Sequence, residues 1–119
     1  MTKILLVDDT IFIKLRMRSL LEKETYHVFD ADNGTDALES YSKNQPDLIL
    51  LDITMPGISG MDVLKKIRET DTSTKIIMLS ATSESALIQE AHELGGNGFL
   101  VKPVDDDKIL SEIKKVLAG

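Results

Sequence analysis

Cysteine and tryptophan are both absent from the 119 residues, and two tyrosines and three phenylalanines make up the whole aromatic complement. Without cysteine there is neither a disulfide nor a thiolate metal site, and the simplest compartment is the cytosol. Histidine is almost as scarce. His27 and His92 stand far apart and share no partner pattern, which argues against a histidine metal centre or a Ser-His-Asp triad. Both read as ordinary surface or helix residues. Apolar runs stop at four residues, too short for a transmembrane helix or a secretory signal, so no membrane association is expected. Basic charge is also short. Fourteen Lys and Arg against twenty Asp and Glu leave a net charge of −6, which disfavours direct nucleic-acid binding by this domain, although a separate domain could bind DNA. What remains is an ordinary globular balance, 42% hydrophobic and 29% charged, in a chain the size of one domain. One domain over residues 1–119 with one compact core is expected.

The chain is organised around Leu48-Ile49-Leu50-Leu51-Asp52, four apolar residues running into a carboxylate and then toward Pro56-Gly57. Such a run reads as a strand buried on both faces. Lys3–Val7 is a similar run, ending in Asp8-Asp9 and followed by Thr10, a helix N-cap signal. Ile11, Phe12, Leu15, Leu20 and Leu21 then recur near a helical period up to about Lys23. His27–Ala31 mixes polar and apolar residues, as an edge strand does. Asn33-Gly34 marks a turn, a second helix is expected over roughly Thr35 to Lys43, and Asn44-Gln45-Pro46 ends it. A third helix is expected over Met61–Glu69, a fourth strand over Lys75–Leu79, and a fourth helix over about Ser83–Leu94, ended by Gly95-Gly96. Gly98–Val101 is the fifth strand. Asp105-Asp106-Asp107 opens a last helix with its apolar stripe at Ile109, Leu110, Ile113, Val116 and Leu117, and acidic residues there suit the helix dipole. Five strands alternating with five helices imply an α/β fold with a parallel sheet, right-handed crossovers and helices on both faces.

In a parallel sheet the residues that end the strands lie along one edge, where open α/β sheets place their ligands. Here they are Asp8 and Asp9, Asp52, Ser80 and Lys102. Three crowded carboxylates repel one another, so their pKa values should rise unless a cation compensates. A hard divalent cation fits, and two or three carboxylates with waters suit magnesium better than calcium. A lysine ammonium and a serine hydroxyl beside the metal are the groups needed to hold the oxygens of a phosphoryl group in transit. Asp52 is then the best candidate nucleophile, because a carboxylate can form an aspartyl phosphate.

These residues resemble the pattern of the response-regulator receiver domain, the phosphoacceptor half of two-component signalling. The pattern is an acidic pair after the first strand, Asp8-Asp9; a D-x-x-M-P-x-x-x-G run, Asp52 through Gly60; a Ser or Thr after the fourth strand, Ser80-Ala81; and Lys-Pro after the fifth, Lys102-Pro103. The resemblance covers the whole chain. It implies a flavodoxin-like (βα)5 three-layer sandwich with strand order 2-1-3-4-5. It also implies that Asp52 takes a phosphoryl group from a sensor histidine kinase or a histidine phosphotransfer protein. Asp8, Asp9, Asp52 and the backbone carbonyl of Thr54 would surround Mg2+. Ser80 would turn toward the phosphate, Lys102 would contact it, and rotation of Phe99 would report the event. A cis Lys102-Pro103 bond is expected as well. The consequence would be a population shift of the surface formed by the fourth helix, fifth strand and fifth helix, read by an output protein or domain. Such a domain would catalyse its own phosphorylation and dephosphorylation without turning over an external substrate.

The departures from the family pattern are small. Gly96 stands where alanine is frequent, Ser80 where threonine is commoner, and neither change removes a reacting group. Thr54 and Thr82 occupy the variable positions that influence phosphoryl lifetime in the family, and their small size should let water and a partner's side chain reach Asp52. A stand-alone regulator of chemotaxis or phosphorelay type is favoured. The alternative is the receiver of a longer DNA-binding regulator. Two remoter readings are weaker. An FMN carrier of flavodoxin type needs a phosphate loop and an aromatic for stacking, and neither Tyr26 nor Tyr41 falls on an active-edge loop. A phosphatase of the haloacid dehalogenase kind places a general-acid Asp where this chain has Thr54, and it needs a cap domain for which there is no room.

Overall fold

A strand whose two faces are both covered must alternate its side chains between two apolar layers, and Leu48–Asp52 does so. In the computed structural model, which describes residues 1–119, Leu48 and Leu50 face one layer and Ile49 and Leu51 the other. All four are fully buried, worth roughly 1.5–3 kcal/mol each. The elements follow in strict alternation: β1 (Lys3–Val7), α1 (Ile11–Lys23), β2 (His27–Ala31), α2 (Gly34–Asn44), β3 (Leu48–Asp52), α3 (Gly60–Arg68), β4 (Lys75–Ser80), α4 (Ser85–Glu93), β5 (Gly98–Val101) and α5 (Asp106–Ala118). The five strands are parallel, in the order β2-β1-β3-β4-β5. This is the expected flavodoxin-like three-layer sandwich.

The single core expected from composition is in fact two, one on each face of the sheet. The first joins Met17 and Leu21 of α1 with Ile109, Ile113 and Val116 of α5 over Ile4, Leu6, Leu48 and Leu50. The second joins Ala37, Val63, Leu64, Ile67 and Ala91 from α2, α3 and α4 over Leu5, Val7, Ile49 and Leu51. A parallel sheet separates them completely, because neighbouring residues on a strand point to opposite sides. β2 behaves as the edge strand expected, with Val28 and Ala31 buried and His27 and Asp30 exposed. No helix is long and apolar enough to cross a membrane.

Helix ends differ from expectation by a residue or two, and the caps explain where they fall. Asn33 accepts from the Asp36 amide, so α2 begins at Gly34. Ser59 and Asp62 form a reciprocal capping box that starts α3 at Gly60. α4 ends in a Schellman turn, with Gly95 (φ +100°) donating to the His92 carbonyl and Gly96 to that of Ala91. Its other end is looser. α4 starts at Ser85, two residues later than expected, and Glu84 offers no side-chain cap. Thr10 is the N-cap residue of α1, but its hydroxyl caps nothing. Its amide donates instead to Asp8 Oδ1 at 2.8 Å, which commits the position to the site rather than to the helix.

The α1 stripe falls on only part of the expected residues: Leu20 and Leu21 pack on the core, and Ile11, Phe12 and Leu15 do not. The helix buries Met17 and Leu21 and packs Ile13 and Leu20 beside them, and it leaves Ile11, Phe12 and Leu15 in solvent at 68%, 85% and 62% exposure.

Candidate functional site

Strand register alone lines up the polar residues. Val7 pairs with Leu51, so Asp8 and Asp52 stand side by side one residue further on, while Asp52 pairs with Leu79 and Ser80 with Val101. Ser80 and Lys102 therefore complete the same carboxyl edge. Side-chain oxygens of Asp8, Asp9 and Asp52 all lie within 4.8 Å of one another. Asp8 and Asp52 are buried and Asp9 is exposed, so the cluster opens to solvent on one side.

Lys102 supplies the compensating charge. Its Nζ lies 2.9 Å from Asp8 Oδ2 and 3.3 Å from Asp52 Oδ2. Burial pushes the Asp52 carboxyl above its ordinary value, Lys102 offsets part of that, and the neighbouring Asp8 charge raises it further. Crowding of carboxylates is thus the lesser part of an effect led by loss of water. Burial pulls the Lys102 ammonium down, but its hydrogen bond to Asp8 and the charges of Asp52 and Asp8 together carry it above the usual lysine value. Its ammonium is firmly charged. An all-oxygen donor set that already draws in one cation suits a hard divalent ion, and exposed Asp9 leaves room for waters.

The loops between these ends are shaped for close approach. The Gly60 amide donates to the Ile53 carbonyl at 2.8 Å and closes the loop after β3. A Cβ at Gly60 would stand 2.2 Å from the Asp52 carbonyl oxygen and 2.7 Å from Ile53 Cα, so only glycine lets α3 start this near the carboxylate. This is the physical content of the glycine that closes the D-x-x-M-P-x-x-x-G run. The Thr54 amide reaches Asp52 Oδ1 at 3.3 Å, and the Thr82 amide donates to Ser80 Oγ at 3.1 Å. Thr54 is exposed and Thr82 half-buried, so both stand where solvent approaches. The Lys102-Pro103 bond is cis, as expected.

The sequence profile of the response regulator receiver domain matches residues 4–114. The chain belongs to the response regulator receiver family. This receiver is 38% identical over 116 residues to chemotaxis protein CheY of Bacillus subtilis strain 168, covering 97% of each chain. It is 40% identical over 115 residues to sporulation initiation phosphotransferase F of the same organism, covering 97% of this chain and 93% of the relative. Among solved structures it superposes with a TM-score of 0.93, at 31% identity, on a chain of the CheX-CheY-BeF3-Mg+2 complex from Borrelia burgdorferi, covering 97% of this chain and 88% of that one. The flavodoxin-type carrier and the phosphatase are set aside by this membership.

Of the receiver residues from the sequence reading, Phe99 lies apart from the carboxylate cluster and Ser80 at its edge. Phe99 pairs with Met78, three residues before Lys102, and sits half-buried over the second core. Together with Ile88, Gln89, His92 and Gly96 it lines a cleft of about 240 Å³ between α4 and β5. Ser80 stands at the cluster's edge with its hydroxyl accepting from Thr82, one helix-start away from that cleft. The sequence reading missed an exposed apolar set. Ile11, Phe12 and Leu15 lie exposed on the first turns of α1, which begins directly after Asp9 and Thr10.

Proposed function

We propose that this receiver accepts a phosphoryl group on Asp52 from a phosphohistidine protein, a sensor histidine kinase or a histidine phosphotransfer protein. A carboxylate oxygen of Asp52 attacks phosphorus, the P–N bond breaks, and its electron pair returns to the imidazole. The observation that carries this reading is the convergence of Asp8, Asp9 and Asp52 within 4.8 Å, with Lys102 Nζ 3.3 Å from the nucleophile. Asp8, Asp9, Asp52 and the Thr54 carbonyl would hold Mg2+, which when bound supplies positive charge to the phosphoryl oxygens. Lys102 contributes an ammonium held 3.3 Å from Asp52 Oδ2, already largely desolvated and therefore more effective than in water. Water attack on phosphorus later breaks the bond to Asp52, and Thr54 and Thr82 leave that approach open. The domain catalyses both steps on itself and is not a turnover enzyme.

The donor docks on the exposed Ile11, Phe12 and Leu15 of α1, apolar residues on the helix that follows Asp8-Asp9 directly in the chain. The output follows from Ser80. A phosphate on Asp52 attracts its hydroxyl away from the Thr82 amide, which frees the uncapped start of α4 and the Phe99 cleft. The surface of α4, β5 and α5 is then read by an output protein. A cytoplasmic, stand-alone regulator of chemotaxis or phosphorelay type is the reading supported by relatives that match nearly end to end.

The test is intact mass after incubation with Mg2+ and acetyl phosphate. One added phosphoryl group in the wild type, absent in Asp52→Asn and after chelation, is the expected result. No gain from acetyl phosphate or from a phosphohistidine protein would overturn the proposal.

A further inference from the structure

Lys102 is held at the site by a loop, and the loop is held by a helix. At one end the Lys102 amide donates to the Ser80 carbonyl at 2.7 Å. At the other, Asp105 caps α5 by accepting from the Lys108 amide at 2.8 Å. Between them Pro103 has no N–H to give, and the Val104 side chain is buried in the first core. The Val104 carbonyl finds its donor on α1, where Arg16 Nη2 stands 3.0 Å away and also reaches Asp106 Oδ1 at 2.7 Å. Arg16, Ile13 and Met17 of α1 line one groove of about 340 Å³ with Lys102, Pro103 and Val104.

The same helix therefore positions both members of the Asp8–Lys102 pair. Its N-cap residue Thr10 fixes Asp8 by donating its amide to Oδ1, and Arg16, further along, fixes the backbone that carries Lys102. The ion pair with Asp106 is half-exposed on both sides and adds little. The charge-assisted bond to the Val104 carbonyl is the effective contact. We propose that Arg16 is a positioning residue for phosphoryl transfer, clamping Val104 so that the Lys102 ammonium stays over Asp52. This rests on the acceptor role of Asp52 proposed above. Both bonds leave from the single nitrogen Nη2, so a lysine ammonium, with three donors on a shorter stem, replaces the guanidinium only in part.

The test is a double-mutant cycle on the whole chain. Arg16→Met keeps the apolar stem that lines the groove and removes the guanidinium. Phosphoryl gain from acetyl phosphate with Mg2+ is followed by intact mass in wild type, Arg16→Met, Lys102→Met and the double variant. Arg16→Met should lower the saturating rate roughly tenfold, as small displacements of a reacting group do, while half-saturation by acetyl phosphate stays nearly constant. In the Lys102→Met background the same change should cost less than about twofold, since no ammonium is left to misplace. Arg16→Lys should recover part of the rate. Equal fold losses in the two backgrounds, or a wild-type rate in Arg16→Met, would overturn the proposal. A second readout needs neither metal nor phosphate: the Hε–Cε NMR signal of Lys102, identified by its loss in Lys102→Met, should shift in Arg16→Met. An unmoved signal overturns the clamp even if wild type gains no phosphoryl group, the outcome that counts against the acceptor role.

Discussion

Replacing Gly60 by alanine puts a methyl group against atoms that cannot step aside. The new Cβ would lie 2.2 Å from the Asp52 carbonyl oxygen and 2.7 Å from Ile53 Cα, both backbone atoms at the end of the central strand. Relief requires moving either the start of α3 or Asp52, the proposed nucleophile. Overpacking typically costs about 1–3 kcal/mol, and a backbone obstacle belongs at the top of that range. With an unfolding entropy of about 2.1 cal/mol/K per residue over 119 residues, ~3 kcal/mol lowers Tm by roughly 12 °C. Gly57→Ala is the matched control from the same loop. Gly57 has φ of +79° with nothing within 4 Å of the added Cβ, so only the left-handed backbone is penalised, at about 1 kcal/mol or roughly 4 °C. Thermal unfolding followed by circular dichroism, in one buffer with chelator, gives both numbers. Gly60→Ala should also lose more of the acetyl phosphate reaction than Gly57→Ala, because the displaced atom belongs to Asp52. Equal melting temperatures for the two variants would refute the close-approach argument.

The remaining predictions concern charge and access. Burial leads the rise of the Asp52 pKa, so the folded state holds that proton more tightly than the unfolded chain, and stability is lost as pH rises from the unfolded value of 3.8 through the raised one. Asp52→Asn in chelator should therefore be more stable than wild type at pH 7, with the gap closing toward pH ~4; urea melts showing no gap at pH 7 would contradict this. At the opposite end of the sheet, hydrogen bonds from Thr74 and Tyr41 hold Asp71 below the usual carboxylate range, so its stabilisation is complete above 3.8 and fades as pH falls below it. Burial, then the bond to Asp71, pushes Tyr41 up to about 12, so stability also falls as pH rises from 10.0 toward that value. Asp71→Asn should flatten the acid limb of a urea-midpoint profile and Tyr41→Phe the alkaline limb; unchanged limbs would remove the assignment. Phe12→Ala should raise the half-saturating concentration of a phosphohistidine donor about tenfold more than that of acetyl phosphate, as loss of an aromatic anchor does. Thr82→Arg should slow loss of the phosphoryl group by covering the approach to Asp52, and an unchanged rate of mass loss would show that position 82 does not gate water.

The site was legible because its positions follow from two simple periodicities. Strands that end on one edge of a parallel sheet bring their next residues together, and each of Asp8, Asp52, Ser80 and Lys102 immediately follows or closes an apolar run. The face of α1 was harder. Its apolar residues lie on two sides, and counting from Ile11 selected Ile11, Phe12 and Leu15, which are exposed, along with Leu20 and Leu21, which do face the core. The buried set, Ile13, Met17, Leu20 and Leu21, follows the spacing i, i+4, i+7, i+8 of a core-facing stripe. A helix with more apolar residues than one face holds leaves the choice to tertiary packing. Contacts between residues far apart in sequence, such as Arg16 with Val104 or Arg68 with Gly95, leave no periodic trace at all.

Those distant contacts are distributed unevenly, and the unevenness suits a switch. At the amino ends of the strands Arg68 donates to the carbonyls of Gly95, Asp71 and Thr74 and to Asn97 Oδ1, which also accepts from the Ile76 amide. One guanidinium thus ties α3, the loop into β4 and the end of α4 together, and the Schellman turn at Gly95-Gly96 stiffens the same corner. At the carboxyl ends the loop into α4 hangs on two side-chain bonds, the Thr82 amide to Ser80 Oγ at 3.1 Å and the Glu84 amide to Thr82 Oγ1 at 3.3 Å. α4 is therefore pinned at its far end and lightly held at the end nearest Asp52. For the proposed switch through Ser80, least resistance lies at the start of α4 and most at Arg68, so the expected motion is a pivot of α4 about its carboxyl end that reshapes the Phe99 cleft over a fixed sheet.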